Sequence, residues 1–182
     1  MGAIVLIVCC AAVAALCLWA GSVTVTYAAT CTVAETLATN TGSAPASTRV
    51  VTHTEYNEAA SLTASTTPPV TTVAEFLLTL SGGAATVDLR ALTGTNGASI
   101  DGNGLKVQVL RVKNLGANIM TIVPGASNGI DLLGASSSLT IPAGGHAMIY
   151  FNDASPDISG TDKTLDVTGT TTQTSEWTIV MG

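Results

Sequence analysis

The sequence predicts an all-β protein, built as a single β-sandwich or jelly-roll-like domain behind an N-terminal apolar segment. From Ser22 onward, short apolar or alternating runs are separated by clusters of Gly, Asn, Asp, Ser and Pro, the pattern of short strands joined by turns. Charged residues make up only 10% of the chain, well below the roughly 25% typical of soluble domains. Since exposed helices usually carry Glu and Lys, and since Thr, Val and Ile suit a pleated surface, this composition favours strands.

The chain divides into two parts by composition. Residues 1–21 contain an uninterrupted apolar stretch at 3–20, AIVLIVCCAAVAALCLWA, which we predict to be helical. Its length lies between the core of a signal peptide and a full membrane span of about 20 residues. It is therefore open to three interpretations: a signal peptide, a membrane anchor, or an extension upstream of the working protein. Residues 22–182 form the predicted β-sandwich domain.

The first half of that domain has the less regular pattern. Val23 to Tyr27 alternates strictly and predicts a strand, whereas residues 39–72 are rich in Thr, Ser and Pro and predict an arm or loop. Within this arm, Glu55 to Leu62 is predicted as a brief helix or a turn. Val73 to Leu80 fits either a buried strand or two helical turns, and Gly82 follows at its end.

Leu105 to Lys113, LKVQVLRVK, is the clearest strand, but its apolar residues change phase near Val109 and Leu110. A period of two survives there only if one residue is inserted, so we predict a β-bulge at that point, or a strand with both faces partly covered. Further strands bring the expected total to about seven to nine; they are predicted at 119–123, 138–142, 146–151, 163–168 and 177–181.

Charge and cysteine content exclude several functional classes. The formal net charge is −6, and the six basic residues are mostly scattered, whereas nucleic-acid binding needs a concentrated basic face. The densest group is Lys106, Arg111 and Lys113, which we interpret as solvent-facing side chains of one strand. Three of the four cysteines lie in the apolar stretch and Cys31 has no evident partner, so no disulfide framework is predicted.

A hydrolase motif occurs once. Gly125 to Gly129, GASNG, matches G-x-S-x-G around Ser127, and Asp131 and His146 follow in the order of hydrolase triads. A nucleophile elbow requires a helix directly after the motif, and the residues after Gly129 are too few to form one. We therefore interpret the motif as a turn and predict no catalytic residues and no enzymatic activity.

Metal and cofactor sites are not predicted either. His53 with Glu55, and His146 at the start of a strand, are interpreted as surface residues, because two histidines cannot build a His-rich site. The loop at 152–162 offers oxygen ligands suited to calcium on Asn152, Asp153, Asp157 and Asp162. Asp and Asn are also ordinary loop residues, since they bond their own backbone, and the sequence leaves calcium binding open there.

Residues 67–182 resemble the small β-rich virion proteins of tailed bacteriophages and related prophages, of the minor capsid or head-decoration type. The resemblance lies in the segments TNGASIDGNGLKVQVLRVKN, GASNG, LTIPAGG and WTIVMG. It implies a non-enzymatic structural protein of a virion, without cofactors, that contacts copies of itself or capsid or tail proteins. We expect a homo-oligomer that does not bind nucleic acid.

The apolar stretch at 3–20 departs from that resemblance, because such virion proteins lack a membrane segment. The alternative expectation is a secreted or membrane-anchored extracellular β-module with an adhesive or binding role, located outside the cell or in the cell envelope. Contact with a membrane is expected only if residues 3–20 are retained.

Overall fold

The computed structural model describes residues 22–39, 47–52, 56–94 and 97–182, and all regular structure in them is β-strand. The all-β prediction is therefore confirmed, while the apolar helix predicted at 3–20 lies outside the described residues. In the described part, no helix has the length and apolar character needed to cross a bilayer. The strands are β1 (Val25–Cys31), β2 (Ala34–Thr39), β3 (Ser47–Thr52), β4 (Tyr56–Leu62), β5 (Thr72–Thr79), β6 (Ala84–Asp88), β7 (Leu92–Thr93), β8 (Ser99–Ile100), β9 (Val107–Asn114), β10 (Met120–Pro124), β11 (Leu139–Ile141), β12 (His146–Tyr150), β13 (Thr164–Thr168) and β14 (Thr174–Met181).

Eight of these strands form two four-stranded antiparallel sheets. The front sheet has the order β12-β9-β14-β5, and the back sheet has the order β11-β10-β13-β6. Both sheets contribute side chains to one hydrophobic core, whose members include Val112 and Trp177 from the front sheet and Met120 and Val167 from the back sheet. The two sheets therefore lie face to face, as in a sandwich.

Strand β14 shows why this sequence forms a central strand. Ser175, Trp177, Ile179 and Met181 are fully buried toward the core, and the residues between them face outward. The Trp177 indole N–H donates to the Ser175 hydroxyl oxygen at 2.8 Å, and the Trp177 ring stacks on Phe76 with centroids 6.1 Å apart. Burying so large a ring with its N–H satisfied stabilises the sandwich at its centre.

A bulge lies in β9, as the change of phase in its sequence predicts. Pairing with β14 shifts between Val180, opposite Val109, and Met181, opposite Val107. The inserted residue is Gln108, so the bulge lies one to two residues before the predicted position. Val107 and Leu110 consequently both face the main core, while Val109 faces a second cluster on the outer face of the front sheet. Both predicted features, the bulge and the coverage of both faces, are present.

In the first half of the domain, one prediction is wrong and one ambiguous segment is resolved. The brief helix or turn predicted at Glu55 to Leu62 is wrong, because Tyr56–Leu62 is the strand β4, paired along its whole length with β1. The ambiguous segment at Val73 to Leu80 is strand β5. The region at 39–72, predicted as an arm or loop, contains β3 and β4, and the arm-like structure begins earlier, at Val25.

Candidate interaction surfaces

The most distinctive surface feature is a two-stranded ribbon before the sandwich. β1 pairs with β4, and farther along the same two chain segments β2 pairs with β3. We call these two pairings together the arm (described at residues 25–39, 47–52 and 56–62). Extended chain rises about 3.3 Å per residue, so β1 is about 20 Å long and β2 about 17 Å long.

The base of the arm packs on the outer face of the front sheet. Leu62, at the end of β4, is buried in a cluster with Val109 and Val180, and Val25 packs against the same cluster. The Tyr27 ring stacks on Tyr150 of β12, with centroids 5.2 Å apart. These apolar contacts fix the start of the arm to the body, because they bury side chains that the outer face would otherwise expose.

Beyond Tyr27 the arm has little contact with the body. Val33 is 52% exposed and Val50 is 66% exposed. An isolated two-stranded ribbon is marginally stable in water, because it buries too little surface to offset the ordering of its chain. A neighbouring protein that covered these valines would remove apolar surface from water.

A second exposed feature is the outer edge of the front sheet, at β5. Leu80 donates its backbone N–H to the Gln173 carbonyl oxygen at 2.9 Å, and antiparallel bonds alternate along the strand. The backbone groups of the even-numbered residues therefore point toward β14, and those of Val73, Glu75 and Leu77 point outward. Within the described residues, no hydrogen bond reaches these outward groups.

The β5 edge lacks the features that usually prevent edge pairing. It is the longest of the four outer strands, with eight residues against five in β6, five in β12 and three in β11. Its sequence, TVAEFLLT, contains a single charged residue, Glu75, and no proline, and Leu77 is 67% exposed. Long edges without charges or proline pair readily with other strands.

An open cleft of about 260 Å³ with both apolar and polar walls lies between β5 and β6. Phe76 and Leu78 line it from the front sheet, Val87 from the back sheet, and Leu92 from β7. A strand added to β5 would place every second side chain against this cleft, because side chains alternate across a sheet.

Buried amide side chains hold the loops at one end of the sandwich. The side-chain amide nitrogen of the fully buried Asn114 donates to three carbonyl oxygens: those of Asn118 at 2.7 Å, Pro142 at 3.0 Å and Ile141 at 3.1 Å. Its side-chain oxygen accepts from the Gly116 N–H at 2.9 Å and from Nε2 of Gln173 at 2.8 Å. These bonds tie three loops together, so we assign Asn114 a structural role.

The bulge residue Gln108 fixes the loop at 152–162. Its fully buried amide donates to the Asp153 carboxylate at 3.2 Å and accepts from the Asp153 N–H at 3.0 Å. Asp162 accepts instead from Ser159 and Thr161, at 2.8 and 2.9 Å. The Asp153 and Asp162 carboxylates thus bond to separate partners, and no group of three His, Cys, Asp or Glu side chains that could hold a metal occurs among the described residues.

Most basic side chains in the described part contact a carboxylate. Lys106 lies 3.5 Å from Asp153, and the guanidinium of Arg111 lies 3.3 Å from the Glu176 carboxylate. Lys106 precedes β9, and Arg111 and Lys113 lie in it. These three basic residues thus do not form a continuous cationic surface, since two of them are paired with carboxylates. Lys113, the third, lies opposite His146 and Glu176 in the sheet.

Two further ion pairs lie near the start of β13, on the side of β6. Burial raises the pKa of the Asp88 carboxyl, but hydrogen bonds from Lys163 and the Arg90 N–H outweigh burial, so this pKa lies below its usual value. The Lys163 Nζ is 2.9 Å from Asp88. Two hydrogen bonds from the Arg90 guanidinium, at 2.9 and 3.1 Å, lower the pKa of Asp101, and the same pair raises the pKa of Arg90.

The structure does not bring the three hydrolase-motif residues together. The Ser127 carbonyl oxygen accepts from the Thr164 hydroxyl at the start of β13, whereas the far end of β13 leads into the loop that precedes β14. His146 lies at that far end, paired with Lys113 in the other sheet. No helix follows Gly129 in the described chain. The motif thus forms a turn, and His53 and Glu55 lie outside the described residues.

No protein-family model matches this chain, no curated protein matches it, and no solved structure matches it. The sequence predicted an arm or loop at 39–72 but not its pairing with the strands β1 and β2, and it did not single out the β5 edge. Alternation in β1 was visible in the sequence, but which strand becomes an edge depends on the order of strands in the sheet.

Proposed function

We propose that this chain is a non-enzymatic structural protein of a phage-like virion, a capsid-decoration, minor capsid or tail-associated component, that acts through protein–protein contacts. The observation that carries the proposal is a two-sheet body joined to a separate two-stranded ribbon on which Val33 and Val50 are exposed. Such a ribbon exposes apolar surface to solvent unless a neighbouring protein covers it, as lattice neighbours do in an assembly.

The fold assignment that accompanies this proposal is a jelly roll. Numbered along the chain, the eight sandwich strands are arranged as 1-8-3-6 in the front sheet and 2-7-4-5 in the back sheet. This order corresponds to two nested Greek keys, the arrangement of jelly rolls, which occur in viral capsid domains, lectins and cupins. Because one fold serves many functions, the strand order supports a virion role only together with the arm and the sequence resemblance.

Surface chemistry supports protein contacts over nucleic-acid contacts. The net charge is −6, which repels a phosphate backbone, and the described basic residues Lys106, Arg111, Arg90 and Lys163 each contact a carboxylate. The arm and β5 together present Thr, Ala, Val and Leu side chains to solvent. We therefore propose self-association, contact with capsid or tail proteins, or both.

The proposal is tested by locating the protein. Particles are purified on a density gradient from a culture that produces this chain, and their proteins are quantified by mass spectrometry beside the soluble and membrane fractions. The proposal predicts a fixed copy number per particle that withstands further purification. Recovery of the chain only in membranes or only as free protein would contradict it.

The apolar stretch at 3–20 favours a second candidate function, a secreted or membrane-anchored extracellular β-module with a binding role. Mass spectrometry of the N-terminus of the native protein separates the two candidates. A chain that begins near residues 22–25 and is absent from membranes supports the virion component. A membrane-bound chain that retains residues 3–20 supports the extracellular module.

A further inference from the structure

One row of side chains crosses the outer face of the front sheet from edge to edge. The strand register places Val180 opposite both Val73 and Val109, and it places Val109 opposite Tyr150. These four residues, which we call the outer row, belong to an apolar cluster separate from the main core. Val180 and Val109, in the two central strands, are only 2% and 5% exposed. Because they lie on the face away from the main core, the back sheet is not what covers them.

The base of the arm (residues 25–27 and 60–62) covers the outer row. Val25 and Leu62 lie directly opposite each other in the ribbon, and both pack in the same cluster as the outer row. Tyr27 stacks on Tyr150, at the β12 end of the row, with ring centroids 5.2 Å apart. The base of the arm therefore lies on the front sheet as a strap.

The contact between this strap and the sheet is apolar. β1 and β4 bond to each other as a separate two-stranded sheet, and none of their described main-chain hydrogen bonds reaches the sandwich. The described ion pairs all join residues within the sandwich. Lifting the strap would thus expose apolar surface to water but would break no main-chain ladder. The central strands β9 and β14, by contrast, are held by ladders on both sides.

The chain that follows the arm is fixed to the sandwich. The Val70 N–H donates to the Thr63 carbonyl oxygen at 2.9 Å, which closes a turn between these two residues. The Thr71 N–H donates to the Met181 carbonyl oxygen of β14 at 3.0 Å, and Val70 is fully buried. Because this turn is held on the body, a moving arm would pivot between Leu62 and Thr63.

We propose that the base of the arm is a releasable strap, which lifts off an otherwise intact sandwich and uncovers the outer row. A segment held by few apolar contacts, and by no hydrogen-bond ladder to the body, opens at a lower free energy than the whole domain unfolds. Release controls access to an apolar surface that the closed chain hides. The inference concerns the chain alone, and its test does not depend on the virion role.

Cysteine labelling distinguishes release of the strap from unfolding of the sandwich. Val109→Cys and Val112→Cys make the same substitution in β9 on opposite faces, since Val109 lies under the strap and Val112 lies in the main core. Each full-length variant, in a mild non-ionic detergent that solvates residues 3–20, is treated with iodoacetamide. Peptide mass spectrometry then measures the labelling rate of each cysteine separately. Cys31, exposed on the arm, is an internal reference for an uncovered thiol.

Urea unfolding of each variant gives the labelling rate that global unfolding alone allows. The thiol of Val112→Cys should be labelled at that rate. The thiol of Val109→Cys should be labelled at least about tenfold faster than global unfolding of its own variant allows. Urea below the unfolding transition should accelerate labelling of Val109→Cys less steeply, because release exposes less surface than unfolding does.

A second change weakens the strap directly. In the Val109→Cys chain, Tyr27→Ala removes the stack on Tyr150 and should raise the labelling rate about three- to tenfold. Thr26→Ala is the matched control, since Thr26 is exposed on the other side of β1, and it should leave the rate unchanged.

Three outcomes would overturn the proposal. Labelling of Val109→Cys at the rate of global unfolding would mean that the strap does not open by itself. Labelling as fast as that of Cys31 would mean that the strap does not cover the outer row. Equal rates for Tyr27→Ala and Thr26→Ala would mean that the tyrosine stack does not hold the strap in place.

Discussion

Replacing Asn114 with Ala is expected to destabilise the sandwich strongly, although the residue lies far from any proposed contact. Its fully buried side chain makes five hydrogen-bond contacts, to Gly116, Asn118, Ile141, Pro142 and Gln173; the two hydrogens of its amide nitrogen are shared among three carbonyl oxygens. Each such bond contributes a net of about 0.5–1.5 kcal/mol, and partners left unpaired cost more. Since Gln173 also donates to the Asn118 carbonyl, part of the network survives, and the expected loss is about 3–5 kcal/mol.

Urea unfolding followed by Trp fluorescence measures this loss, because Trp177 lies in the core and its environment changes on unfolding. The melting temperature should fall by roughly 6–20 °C for a domain of this size. Asn118→Ala is the matched control: Asn118 is exposed and enters the network through its backbone carbonyl, so its side chain should be dispensable. A loss below about 1 kcal/mol for Asn114→Ala would refute the structural role of the network.

Three further predictions concern the core, the arm and the response to acid. Trp177→Ala should cost about 3–5 kcal/mol in urea unfolding, because it removes the largest buried side chain; an unchanged midpoint would contradict the assigned core. Tyr27→Ala removes the stack on Tyr150, worth about 0.5–1.5 kcal/mol beyond its buried area. Limited proteolysis should then cut within 25–62 faster while the body stays intact, and equal cleavage rates would refute the anchoring contact. Asp88 has a lowered pKa in the folded state, so its pair with Lys163 stabilises the protein above the unfolded carboxyl pKa of about 3.9 and loses this effect as pH falls through the lower folded pKa. Lys163→Gln should be less stable than wild type at pH 7 by up to about 1 kcal/mol for this partly exposed pair. The difference in unfolding free energy should shrink below about pH 4. A difference that does not depend on pH would contradict the assigned ion pair.

Local pattern predicted those parts of the fold that depend on which face of a strand is buried. In β9 the apolar residues Val107 and Leu110 are three apart, and only an inserted residue can bring both to one face. The strand predicted at 177–181 is likewise present, as the second part of β14 (Thr174–Met181). These features follow from the period of the side chains alone, so they could be derived before the strand order was known.

Strand β4 shows where local pattern fails. Glu58, Ala59 and Ala60 have good helix propensity, and the segment was predicted as a brief helix or turn. In the structure β4 pairs with β1 across more than 20 intervening residues, and this non-local pairing overrides local preference. The turn of a hairpin this long lies too far from the base of its legs for local reasoning to connect them.

The sequence also did not show which strands become the outer strands of the sheets. The segment TVAEFLLT fits a buried strand or two helical turns, because five of its eight residues are apolar. β5 becomes an outer strand only because β14, from the end of the chain, inserts between it and β9. The candidate contact surface at Glu75 and Leu77 is thus a consequence of topology.

Residue-resolved hydrogen exchange on the full chain, at high concentration and after dilution, tests the account of a rigid body with a contact-making arm most directly. Amides of β9 and β14 should exchange slowly at both concentrations, as should Phe76 and Leu78, which point toward β14. Amides of Glu75 and Leu77, which point away from β14, should be protected only at high concentration. Uniform exchange along β5 that does not change with dilution would contradict the account.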